Sequence, residues 1–314
     1  MTLGSQKLRH TRRGSALLVV IWSIMFLSVA VIGVLKYVEF DADEQISRAK
    51  SFRARQLAES GLAVALHPDV QYPDPVLNQV FFDGAEGFEV KMRSESAFIN
   101  LNQILQSGNT GVLERLFTEW GLGARELRDV LDCLLDWTDG DEMRNTNGAE
   151  REYYFSLGLT NMPSNRPFVS LEEVELVKGM NLVAELKPNW KEYFTLWSSG
   201  NQVDVNTADA DVIAVAAGVS VEAARRVVET RWGADGIDGT IDDYRFETVE
   251  EAMGLMNVPA GNQELYESVK SGLTTDDAVK RIESIGKVGN YHRVLRVIVN
   301  RDDASGNFIK WQET

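Results

Sequence analysis

The 314-residue chain has one cysteine, Cys133, and three histidines, His10, His67 and His292. A single cysteine excludes an intrachain disulfide and any multi-cysteine metal site, so cysteine chemistry does not staple this fold. The histidines fall in unrelated places: near the N-terminus, beside Pro68 and in a strand-like run. No Ser or Cys stands in a nucleophile motif that would recruit them, so catalysis is not expected. Positive charge is scarce as well. Lys and Arg number 32 against 47 Asp and Glu, a net charge of -15, which disfavours a nucleic-acid partner. With 44% hydrophobic and 25% charged residues, the composition is globular rather than disordered, collagenous or polytopic. The length suggests about two domains.

Charge of either sign is missing from residues 15–35. As a helix this stretch is about 31 Å long and matches the hydrocarbon core of a bilayer. Lys7, Arg9, Arg12 and Arg13 precede it, and Glu39, Asp41, Asp43 and Glu44 follow. By the positive-inside rule the N-terminus is cytoplasmic and the rest lies across the membrane. A cleaved secretory signal ending at Ser28-Val29-Ala30 is the alternative, but its apolar region would run only about 7–15 residues. Residues 38–66 contain no Pro and one Gly, Gly61. Ala54, Leu57, Ala58, Leu62, Ala65 and Leu66 recur at helical spacing, and His67-Pro68 ends the run. The spacing predicts one helix of about 50 residues, its second half laid on a soluble domain.

Residues 87–99 alternate as a strand does, and Asn100-Leu101-Asn102 opens a helical region. Residues 113–135 predict two short helices broken at Gly121 and Gly123. Ser170-Leu171-Glu172-Glu173 has the pattern of a capping box whose helix stops at Gly179. A second helical block starts at Val203-Asp204-Val205-Asn206-Thr207, turns at Gly218 and ends after a second box, Thr248-Val249-Glu250-Glu251. Residues 279–285, 291–300 and 307–311 then predict an antiparallel meander, joined by the turns 286–290 and 302–306. The expected fold is α+β: a long N-terminal helix and an antiparallel sheet, with a large inserted helical domain. The segments are 1–14, 15–66, 67–100, 101–200, 201–273 and 274–314, the third and last forming the sheet domain.

Arg13-Gly14-Ser15-Ala16-Leu17-Leu18-Val19-Val20, followed by this helix, resembles the leader of type IV pilins and type II secretion pseudopilins. The resemblance implies that prepilin peptidase cuts residues 1–14 away between Gly14 and Ser15, and that the new N-terminus is methylated. Most pilins carry a glutamate where this chain has Val19. A carboxylate in an apolar helix is costly unless paired, and its loss resembles one family, the minor pseudopilins called general secretion pathway protein K. Further segments resemble that family in order: Gln56 to Gly61, Ile99 to Asn102, Leu134 to Asp139, Asn147 to Glu150 with Tyr153-Tyr154, Leu171 to Met180, and Val205 to Ala208. Ser-Glu-Ser-Ala before Phe98 and the Gly/Asp-rich stretch 233–243 depart from it.

The resemblance implies a pilin-like fold with SAM-like or helix-hairpin-helix-like insertions, and a single-pass inner-membrane protein with a periplasmic C-terminal domain. It implies a tip position in the pseudopilus and a part in starting its assembly. Expected partners are the I-type and J-type minor pseudopilins, the major pseudopilin and prepilin peptidase, with no nucleic acid. Two alternatives stay open: a membrane-anchored helix-hairpin-helix DNA-uptake protein and a type IV pilus minor pilin. Against DNA, residues 203–256 hold 12 acids and 4 Arg, although phosphate contacts need cationic side chains.

Two acidic loops are candidate calcium sites, because calcium takes about six to eight oxygen ligands. The first offers Asp136, Asp139, Asp141 and Glu150, with Glu142, Asn145, Asn147 and Glu152 nearby; the second offers Asp235, Asp238, Asp242 and Asp243. The first does not have EF-hand spacing, and a solvated acidic loop is the alternative there. The family's use of calcium in such loops favours the ion at the first.

Overall fold

The computed structural model describes residues 13–81, 84–303 and 308–314, with backbone alone for 13–15. The expected leader, residues 1–14, lies outside the described residues up to position 12. Helix α1 runs from Arg13 to Ala65 without a break. Its first half is bare: the large apolar side chains from Leu17 to Phe40 are all more than half exposed. An 18-residue window of this helix has a mean hydropathy of 2.8 and no buried residue, so α1 is long and apolar enough to cross a membrane. Its second half buries Ala54, Leu57, Ala58, Leu62 and Ala65, the stripe that the spacing predicts.

The strands, in chain order, are β1 (Asn78–Phe81), β2 (Glu86–Ser94), β3 (Ile99–Asn100), β4 (Phe194–Thr195), β5 (Val203–Asp204), β6 (Leu273–Thr274), β7 (Val279–Val288), β8 (Tyr291–Asn300) and β9 (Phe308–Glu313). The main sheet has the order β1-β2-β7-β8-β9 and is antiparallel throughout. Phe88, Val90 and Met92 of β2, Ile282 and Val288 of β7, and Leu295, Val297 and Val299 of β8 share one core with the buried stripe of α1. Each such Leu, Val or Phe contributes about 1.5–3 kcal/mol on burial. Small residues set the closeness of the helix. A Cβ on Gly286 would lie 1.9 Å from the Ala54 carbonyl oxygen, and Ser284 donates to the Ala58 carbonyl at 2.7 Å.

Three boundaries differ from expectation. The helix expected to run to Gly179 ends at Val174. The strand expected over 87–99 stops at Ser94, whose hydroxyl accepts the Ser96 amide and turns the chain into a 3-10 turn, Glu95–Ala97. Gly286, expected in a turn, lies inside β7; the turn is Gly289-Asn290, where Gly289 takes φ +55°. Of the last turn, 302–306, only the first two residues are described.

Between β2 and β7 sits the helical domain: α2 (Leu101–Ser107), α3 (Gly111–Glu119), α4 (Ala124–Thr138), α5 (Arg151–Ser156), α6 (Leu171–Val174), α7 (Met180–Leu186), α8 (Ala210–Ala217), α9 (Val221–Arg231), α10 (Val249–Leu255) and α11 (Gln263–Ser271). One hydrophobic cluster runs from Ala97 to Leu273 and is separate from the core under α1. The same construction occurs twice within it. Ile99 pairs in parallel with Phe194, and Val203 with Leu273. Three residues after each first strand begins, an Asn side chain grips the backbone of a distant Phe. Asn102 donates to the Phe168 carbonyl and accepts its amide, both at 2.9 Å. Asn206 does the same with Phe246, at 2.9 and 2.8 Å. Ser170 and Thr248, two residues beyond those Phe residues, N-cap α6 and α10.

The expected boxes form only in part. Ser170 accepts the Glu173 amide at 3.3 Å, but the Glu173 carboxylate turns inward instead of reaching back. Thr248 gives its hydroxyl to Glu251 at 3.0 Å and accepts no helix amide.

Candidate functional site

The first acidic loop begins at the C-terminal end of α4. Asp136 is fully buried there. Its Oδ1 accepts the Asn145 amide at 3.0 Å and the Asn145 side chain at 2.6 Å. Asp132 Oδ2 holds Asn147 in the same two-handed way, at 2.9 Å each. Both grips fold the loop back onto its parent helix and bring Gly148 against Asp136, where a Cβ would lie 1.8 Å from Oδ2.

The inward oxygens are left over. Asp136 Oδ2, Asp139 Oδ1, both oxygens of Glu150 and Asn165 Oδ1 are buried without a hydrogen-bond partner. Burial, followed by the charges of Asp136, Asp139 and Glu142, pushes Glu150 up to about 7. Burial and Asp141 likewise raise Asp139. The nearby Arg151 guanidinium goes to Glu142, at 3.3 Å. Asp141 turns Oδ1 to the Met143 amide at 2.7 Å, and its carbonyl accepts the side chain of Asn165 at 2.8 Å. Uncompensated buried carboxylates are costly unless paired or bound to a metal. Among the described residues, no three Asp, Glu, His or Cys side chains stand close enough to grip one ion as placed, so an ion would have to draw these oxygens together.

Asn165 and Asp132 escaped sequence reasoning. Asn165 joins from a turn 24 residues beyond Asp141, at φ 47°; such a distance leaves no local signal. Asp132 sits on the helix, one turn before Asp136, and reads there as a solvated charge.

The second acidic loop spends its oxygens on itself. Asp242 Oδ2 accepts the amides of Ala234 and Asp235 at 2.8 and 3.2 Å, and its Oδ1 accepts the Thr240 hydroxyl at 2.7 Å. Asp243 accepts the Gly239 amide and Asp235 the Ile237 amide, both at 2.8 Å. The Thr240 hydroxyl and these amides hold Asp242 below the usual carboxylate range, opposite to Glu150. Gly239, at φ +87°, abuts the Tyr72 hydroxyl. Burial, then Asp238 and Asp243, raises the Tyr72 pKa.

A polar seam joins the helical domain to the sheet. Glu95 is fully buried and receives Arg281 at 2.7 Å together with the Thr195 hydroxyl. Asp277 receives the hydroxyls of Ser96 at 2.7 Å and Ser199 at 2.5 Å.

Gly14 and Ser15 lie in the first turn of α1, and Val19 is 64% exposed on its bare half. In the second block, Arg225 and Arg226 are exposed on α9, and Arg226 donates to the Leu255 carbonyl at 2.8 Å.

Residues 97–189 match the family model for type II secretion system protein K. Over that stretch the chain is similar to protein K. The first acidic loop and Asn165 therefore fall within the matched stretch, and the second loop lies outside it. Type II secretion system protein K of Klebsiella pneumoniae is 32% identical over 131 residues, which cover 38% of this chain and 40% of that relative. The match thus spans less than half the length of the curated relative. Among solved structures, the chain resembles one chain of the GspK-GspI-GspJ complex of the enterotoxigenic Escherichia coli type 2 secretion system. The TM-score is 0.62 at 17% identity, over 88% of this chain and 99% of that one. At that identity the likeness is one of fold: the long helix, the sheet and the helical domain.

Proposed function

We propose that this protein is a minor pseudopilin of a type II secretion system, anchored in the bacterial inner membrane by the bare half of α1 with its N-terminus in the cytoplasm. It sits at the tip of the periplasmic pseudopilus and helps start its assembly. The observation that carries this reading is a helical domain, larger than its host, inserted between the adjacent strands β2 and β7 of the sheet that holds α1. Such a head obstructs a subunit stacked above it. Val19 supports the same position, because an apolar residue there offers no buried carboxylate to a neighbour. The name of the structurally similar complex supports other minor pseudopilins as partners. The intact mass of membrane-extracted protein tests the reading: it should correspond to a methylated chain starting at Ser15, and the ectodomain should co-purify with I-type and J-type pseudopilins. A mature chain starting at Met1 or after Ala30 would overturn it.

We further propose that calcium binds the first loop through Asp136, Asp139, Glu150 and the Asn165 side chain, with Asp141 supplying added negative charge. Bound there, the ion supplies the positive charge that the buried oxygens lack. Asp235, Asp242 and Asp243 accept hydrogen bonds within their own loop, and Asp238 is not among the buried unpartnered oxygens, so the proposal is confined to the first. Titration calorimetry of chelator-stripped full-length protein should show saturable calcium binding that Glu150→Gln with Asp136→Asn removes. Equal binding by that variant would refute the assignment.

A further inference from the structure

Four cations face one groove in this acidic chain. The groove, about 180 Å³, lies between the helical domain and the β7–β9 side of the sheet. Lys191, Arg281, Arg296 and Lys310 line it, beside the rings of Phe194 and Trp197. Arg281 is committed to Glu95, Arg296 to Glu283 at 2.5 Å, and Lys191 to Glu175 at 2.9 Å. Lys310 stands 5.1 Å over the Trp197 ring and has no carboxylate within ion-pair distance among the described residues. The groove runs beside an open sheet edge, because β9 ends the strand order and, among the described residues, pairs only with β8. Val294 and Thr314 exchange both backbone bonds, at 2.9 and 3.0 Å. By antiparallel alternation, the N–H and C=O groups of Trp311 and Glu313 then point outward.

We propose that this edge binds an acidic, extended segment of a partner polypeptide by strand addition. Outward backbone groups on β9 supply the pairing, while alternate side chains of the added strand fall on the groove side. Acidic residues at those positions meet Lys310 and the partly neutralised Lys191 and Arg296. The charge is complementary to an acidic strand and repels a basic one.

The test uses full-length protein in detergent and a fluorescein-labelled peptide of alternating Thr and Glu, with Thr/Gln and Thr/Lys peptides for comparison. Anisotropy should show saturable binding of Thr/Glu, Thr/Gln about tenfold weaker and Thr/Lys absent. Lys191→Glu with Lys310→Glu should abolish binding. Trp311→Pro deletes an outward N–H without touching the β8 ladder and should also abolish it, whereas Trp311→Ala should retain it. The proposal is overturned if Thr/Glu does not bind, if the three peptides bind alike, or if Trp311→Pro binds as Trp311→Ala does. It is also overturned if the groove cations bind phosphatidylglycerol vesicles and not the peptide.

Discussion

Glu173 is a carboxylate in a hydrophobic body, only 8% exposed. It receives the Trp137 indole at 3.1 Å, the Ser164 hydroxyl at 2.8 Å, the Val169 amide at 3.1 Å and Arg166 at 3.3 Å. Burial works to raise its pKa, but these donors outweigh it and hold the group below its ordinary 4.5. A depressed carboxylate stabilises the fold above its unfolded pKa and loses that contribution as pH falls through the folded value. Wild-type protein should therefore lose stability from about pH 4.5 downward. Glu173→Gln should cost about 1–3 kcal/mol at pH 7 and flatten that acid limb, as read from denaturant midpoints. The sequence marks Glu173 only as the end of a capping box. Its inward turn depends on Trp137, which is 36 residues away. Asp136 is legible as an acid in a loop, but the orphaned oxygen that makes it a candidate ligand is a product of packing.

Elements were more legible than side-chain roles. The long helix, the Tyr291–Asn300 strand and the break between α3 and α4 follow from period and glycine placement. Period cannot register a crossing point, however. Gly286 reads as a turn residue because glycine is common in turns, while its actual place is under α1, with the Ala54 carbonyl where a Cβ would go. The contact is with backbone, so side-chain repacking cannot relieve it. Gly286→Ala should push α1 off the sheet and cost at least about 2 kcal/mol, with faster proteolysis of α1. Gly33→Ala, which meets nothing within 4 Å, is the control and should leave the soluble domain unchanged. The short parallel pairings of β3 with β4 and β5 with β6 were not legible, since two-residue strands carry no period.

At the scale of the molecule, two cores meet across the seam at Glu95 and Asp277. Glu95 is fully buried while Arg281 is 39% exposed, so removing the arginine strands an acid in the interior. Arg281→Ala should cost about 3–5 kcal/mol, whereas Lys36→Ala, which breaks the exposed pair with Glu39, should change stability by at most about 1 kcal/mol. Calorimetry should also resolve two transitions in Arg281→Ala where the wild type shows one, because the seam couples the bodies. The insertion as such was legible, from strand-like periods at both ends of a helical middle.

Placing that middle between adjacent strands also orders events in time. Glu95 and Arg281 meet across 186 residues of sequence, and closing so long a flexible loop is slow because its entropy must be spent before the strands reward it. If the helical body collapses first, on its more local contacts, it carries Ser94 and Lys280 toward their pairing and replaces a random search by a short one. The sheet would then be the last part to form. Until it closes, the buried stripe of α1 has nothing to rest on. Pulse-labelled hydrogen exchange during refolding should accordingly protect α4 and α9 amides before those of β2 and β7; simultaneous protection would show that the sheet does not wait.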